Sequence, residues 1–180
     1  MNMIKAIDVL PFTDELEGEL FLFSLDGLLP VVQALSVNTD CLVVSLVAPN
    51  LTSGNPILVQ RLLTEPQMRL LLPLLQFPHH CSHEVLYASL YCSYRGLLAW
   101  LFSSRSTARE EWLTTAQKAG LLLEHAQAQG TWRKELKQLY NVLSELRPKL
   151  RPFGLGISTV GSGYVLISLP ASEQEAHAPG

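Results

Sequence analysis

The densest run of reactive side chains is His79-His80-Cys81-Ser82-His83, with Cys92 following downstream. Imidazole nitrogens and thiolate sulfurs are ligands zinc prefers, but a tetrahedral site needs four such groups converging. This spacing matches no standard zinc site. Cys81 and His83 also straddle Ser82, a predicted helix cap, so the run reads as an ordinary loop and no metal is assigned. Gly154, Gly156, Gly161 and Gly163 could suggest a phosphate-binding loop. Such a loop needs a following helix whose N-terminus faces the phosphate; here a strand is predicted to follow, so the glycines are turns. Glu110 and Glu111 fall in the first turn of a predicted helix, where the macrodipole favours acids. No Ser-His-Asp or Cys-His arrangement carries a motif signature. The expectation is a protein that is not an enzyme and uses no cofactor.

Recognition chemistry is better represented. Lys134, Lys137, Gln138, Asn141 and Ser144 lie opposite the stripe Leu136, Leu139, Leu143, Leu146 and Leu150 on a helical wheel. Lysine can approach guanine or phosphate, and Asn or Gln can pair with adenine in a major groove. The same side chains would also make an ordinary solvated face. Arg147, Lys149 and Arg151, near the end of that helix, suit phosphate contacts better than base contacts. Ser162 sits in the turn of the following hairpin. The net charge of −3 gives no global attraction to nucleic acid, so a local basic face would have to supply it.

The elements that must hold these groups divide the 180 residues into a β-rich start and a helical remainder. Ile4 to Leu10, Glu19 to Leu25, Cys41 to Val47 and Ile57 to Leu62 are short, apolar and bounded by turn residues. Asp26-Gly27 and Thr52-Ser53-Gly54-Asn55-Pro56 are turns, and Leu28 to Leu35 reads as a short helix. Thr64 to Gln67 is a capping box that opens a leucine-rich helix with Pro73 as kink or stop. Ser82 caps a second helix, and Tyr94 to Phe102 forms a short apolar third. Thr107 to Glu110 is another capping box, before a helix reaching Gly130. Thr131 is expected to cap the last helix and Pro148 to end it near Arg147. Ile157 to Val160 and Tyr164 to Ser168 flank Gly161-Ser162-Gly163 as a β-hairpin. Cys41, Cys81 and Cys92 are odd in number and suit a reducing compartment. The N-terminus lacks a signal-peptide pattern and the apolar runs are too short to span a bilayer. A cytoplasmic protein with no membrane association is expected.

Two blocks, Leu63 to Leu90 and Leu139 to Leu166, resemble the effector domain of OmpR/PhoB-type response regulators. Leu63 to Leu90, LTEPQMRLLLPLLQFPHHCSHEVLYASL, is similar to its first two helices. Leu139 to Leu166, LYNVLSELRPKLRPFGLGISTVGSGYVL, resembles its recognition helix and wing: Leu146, Arg147, Lys149 and Leu150 match the helix end. Ile157, Thr159, Val160, Gly161, Gly163, Tyr164 and Leu166 match the wing. The resemblance covers roughly a third of the chain and implies an α+β fold. That fold is a winged helix-turn-helix with an N-terminal antiparallel β-sheet, here with an extra helical insertion before the recognition helix. The sequence departs from the family at Cys92 to Thr131, where a short loop is usual. It also carries Ser144 and Glu145 where arginines are common. The first 60 residues are too few for a receiver domain, and Asp8 stands without the other groups of a phosphoacceptor site.

The expected organisation is a mainly β segment over 1–62 and a winged domain over 63–170. The insertion occupies 93–130, and 171–180 forms a disordered tail. The function implied is transcription regulation through double-stranded DNA, read by Lys134, Lys137, Gln138, Asn141, Ser144, Arg147, Lys149, Arg151 and Ser162. The alternative is a winged helix turned to protein–protein interaction, with 94–130 as a homodimer or partner surface. Leu97, Leu101 and Leu122 are its candidate exposed residues.

Overall fold

A computed structural model describes residues 20–48 and 57–170. The expected strand at Ile4 to Leu10, the turn at 52–56 and the tail lie outside the described residues. The chain divides into two compact units. The first comprises Met1–Thr64, Lys149–Gly156 and Ser168–Gly180; the second comprises Glu65–Pro148 and Ile157–Ile167. The architecture is mixed α+β with antiparallel sheet.

In the first unit β1 (Leu20–Phe23), β2 (Ala34–Asn38), β3 (Val43–Val47) and β4 (Ile57–Leu62) form a four-stranded antiparallel meander in sequence order. Cross-strand partners Leu35–Leu46 and Val37–Val44 share one face and are buried. The β2–β3 reversal is local chemistry: Asn38 Oδ1 accepts from the backbone N–H groups of Asp40 and Cys41 at 3.1 and 2.9 Å. Leu42 closes it with a φ of 58°, and its carbonyl accepts from Leu63 N–H. The helix expected over Leu28 to Leu35 is not formed. The segment makes turns after Leu25 and Pro30, then enters β2. Ala34, Leu35, Ser36 and Val37 are all buried, so this strand lacks the alternation that marks a half-exposed one.

The second unit begins with α1 (Glu65–Gln76), which carries Pro73 inside it without stopping. A two-residue strand, β5 (Cys81–Ser82), leads into α2 (His83–Tyr91). Ser82 caps α2 as expected, its hydroxyl accepting from Val85 N–H at 3.3 Å, and Glu84 sits in the favoured first turn. The apolar segment Tyr94–Phe102 is helix α3, capped by Ser93. It packs against α4 (Ser106–Ala128). The capping box at Thr107 does not operate: the helix already starts at Ser106, after Arg105, with no side-chain cap. The indoles of Trp100 and Trp112 stack at 3.8 Å between α3 and α4, over a core of Ala88, Leu97 and Ala119.

The last helix is broken in two. Thr131 precedes a single turn, α5 (Trp132–Glu135), and α6 (Lys137–Leu150) follows after Leu136. Thr131 caps by position only, because its hydroxyl turns back to donate to the Ala126 carbonyl. Pro148 does not end the helix. The Ser144 carbonyl that it leaves without an N–H donor belongs to an exposed residue, where water can serve. After a 3₁₀ turn at Arg151–Phe153, β6 (Leu155–Val160) and β7 (Gly163–Ser168) form the expected hairpin. The three-stranded sheet has the order β5-β7-β6.

Burial separates the cysteines sharply. Cys81 in β5 is 2% exposed, and burial pushes its thiol up to about 12 from 9.0, whereas Cys41 is exposed. At pH 8 a thiol reagent is therefore expected to label Cys41 quickly and Cys81 only after denaturant is added. Fast labelling of Cys81 in the native protein would contradict the burial of β5. Between pH 9.0 and about 12 the unfolded chain sheds this proton while the folded chain keeps it, so Cys81 lowers stability as pH rises through that window.

Candidate functional site

The leucine stripe decides how α6 sits. Leu136, Leu139, Val142, Leu143, Leu146 and Leu150 are buried, so the opposite face must point outward. Lys137, Gln138, Asn141 and Ser144 are exposed there together, as expected. Lys134 is also exposed, but it stands on α5, beyond the break at Leu136, and does not continue the same helical row. Glu145 shares the exposed side and accepts from the buried Gln67 amide of α1 at 3.4 Å.

The hairpin flanks α6. Arg147 is half-buried, and its Nε donates to the Ile157 carbonyl at 3.2 Å, fixing the guanidinium at the base of β6. Ser162 is exposed at the tip. Gly161, with a φ of 48°, and Ser162 fill the two-residue loop, the Gly-first arrangement that suits a tight hairpin. Lys149 and Arg151 belong to the first unit. Lys149 Nζ donates to the Leu62 carbonyl at 3.0 Å, whereas Arg151 is exposed.

His83, expected in a loop, joins the start of α2 to the hairpin. Its backbone N–H donates to the Ser162 carbonyl at 3.1 Å, and its ring Nδ1 meets the same oxygen. The ring lies edge-on to Trp132 at 5.5 Å and to Tyr164 at 5.2 Å. Burial raises the Tyr164 phenol above its usual range, with Tyr140 adding to the rise and Arg147 opposing it. His79 and His80 are exposed, and among the described residues no three His, Cys, Asp or Glu side chains converge as a metal site would require. A helix cap at Ser82 was readable, but the pairing of Ser82 with Gly163 rests on a contact 81 residues away, which no local pattern announces.

Beside this cluster an open groove of about 740 Å³ runs between α2, α4, α5, α6 and the hairpin. Its wall on the α6 side is Tyr140, Ser144 and Arg147, the flank next to the polar row. The α4 wall, Leu123, Glu124 and Gln127, is contributed by the segment that the sequence marked as an insertion. No known family's model, no curated protein and no solved structure matches the chain.

Proposed function

We propose that the second unit is a winged helix-turn-helix that binds double-stranded DNA, as part of a transcription regulator. In this reading α6 enters the major groove and the β6–β7 hairpin lies along the neighbouring backbone. The observation that carries it is the element order α1, β5, α2, then α6, β6 and β7 after the intervening α3, α4 and α5, together with the strand order β5-β7-β6. The short strand β5 after the first helix pairs with β7, the second strand of the hairpin that follows the last helix. Lys137, Gln138, Asn141 and Ser144 project from α6, with Lys134 before it and Ser162 at the hairpin tip. Arg147 steadies the hairpin base. The four-stranded sheet that precedes α1 agrees with the same resemblance.

Binding to a pool of duplex fragments is expected to weaken steeply with salt, since each neutralised phosphate releases counterions. Lys134→Ala with Lys137→Ala is expected to lower affinity at low salt and to flatten the slope of log K against log salt by about 1–2. Thermal unfolding should barely move, both residues being exposed. Unchanged affinity and slope in that variant would remove α6 from the contact surface.

A second reading, a module for protein–protein interaction, is favoured by α4. Leu113, Leu121 and Leu122 are 53%, 67% and 46% exposed on this helix. Leu97 is fully buried and Leu101 half-buried, so of the three leucines expected at such a surface only Leu122 is available. Concentration-dependent sedimentation that Leu121→Lys abolishes would support this reading.

A further inference from the structure

The groove beside α6 has a chemistry that DNA contact does not use. Glu84, at the start of α2, lays its methylene stem along α4: its Cγ is 3.7 Å from the position a Cβ on Gly120 would take. Glu124 lies one turn further along α4 and lines the groove together with Glu84. Among the described residues neither is engaged by a hydrogen bond or an ion pair. Neither carboxylate has a counterion among the described residues, and a bound cation would supply one.

A second, separate observation points into the same space. Tyr164 is 3% exposed and lines the groove, yet its hydroxyl has no hydrogen-bond partner among the described residues. Its hydroxyl is not sealed away, because no buried side-chain oxygen in the described residues is left without a partner. It therefore opens onto the groove, beside Arg147, whose Nε is already committed to the hairpin. The rings of His83, Trp132 and Tyr140 line the same groove, with His83 edge-on to both Trp132 and Tyr164. The volume is in the range that holds a small organic ligand.

We propose that this groove binds a small organic cation with a flat apolar body, its amine against Glu84 and Glu124 and its ring against Trp132 and Tyr140, beside the Tyr164 hydroxyl. Carboxylates supply charge-assisted hydrogen bonds to an ammonium, and aromatic faces attract both the cation and a flat ring. The site exists because α4 supplies one wall, and it does not depend on DNA binding.

The test is titration of the full chain with benzylamine, benzyl alcohol and benzoate, followed by tryptophan fluorescence and by the indole N–H signals in NMR. Benzylamine is expected to saturate and to bind roughly tenfold tighter than benzyl alcohol, with benzoate weaker still. The double variant Glu84→Gln, Glu124→Gln should bind benzylamine no better than benzyl alcohol while unfolding at the same temperature as the parent. The proposal is overturned by the absence of saturation with all three probes, by benzoate matching benzylamine, or by a preference for the amine that survives in the double variant. No DNA enters the titration, so this result and the fragment-binding result fail or succeed separately.

Discussion

Trp112→Ala is expected to lower the unfolding free energy by about 3–5 kcal/mol, the largest effect of any single truncation proposed for this chain. Trp112 is 5% exposed and lies in the cluster with Ala88, Leu97 and Ala119. Its ring stacks on Trp100 at 3.8 Å with 11° between the planes, and Trp100 in turn lies 5.8 Å from Phe77. Removing the indole loses a large buried area and the stacking that accompanies it. The neighbours offered to fill the gap, Ala88 and Ala119, are small and fixed on helices, so the cavity cannot close cheaply. Urea unfolding followed by circular dichroism measures the loss. Leu121→Ala, on the same helix but 67% exposed, is the control and should stay within about 0.5 kcal/mol. Comparable losses for the two would mean that α4 does not bury its Trp112 side against α2 and α3.

Legibility in the sequence followed the range of the interactions involved. Helices with their own start signal and apolar run were readable: Ser82 caps α2, and α3 occupies Tyr94–Phe102 as expected. The stripe on α6 predicted correctly which side of it is exposed, because period and burial are local properties of one helix. Errors arose where distant packing chose between local options. Leu28 to Leu35 carries leucines compatible with a helix turn, yet Leu35 pairs with Leu46 in the sheet and Ala34 with Val47. Thr131 has the right side chain for a cap, but a positive φ at Gly130 turns the chain so that its hydroxyl reaches back to Ala126. Candidate site residues on α6 were therefore legible as a row. The groove was not, since its walls come from five elements separated by up to 81 residues, from His83 to Tyr164. His83 illustrates the difference: its residue type suggested a ligand, while its place between Ser162, Trp132 and Tyr164 gives it a mechanical task.

Gly163→Ala is expected to cost about 2–4 kcal/mol, more than overpacking usually does, because the obstacle is main chain. A Cβ built on Gly163 would stand 2.3 Å from the Cys81 carbonyl oxygen and 2.9 Å from Ser82 Cα. No rotamer relieves a contact with backbone, so either β5 or β7 must move. Neither is free to do so alone. Cys81 pairs with Tyr164 and Ser82 with Gly163, His83 N–H donates to the Ser162 carbonyl, and Leu166 N–H donates to Pro78. Displacing β7 would stretch all of these and withdraw Tyr164 from its buried place beside His83. Gly161→Ala separates this steric effect from the ordinary preference of glycine. Gly161 has a φ of 48° but nothing within 4 Å of its virtual Cβ, so alanine there meets only the left-handed backbone penalty of about 1–2 kcal/mol. Urea denaturation of both variants, with hydrogen exchange at the His83 and Leu166 amides, distinguishes the two causes. Gly163→Ala should lose protection at both amides and Gly161→Ala should keep it. Equal costs with protection retained in both would mean that β5 and β7 are not in close contact, and that the hairpin is held by its turn alone.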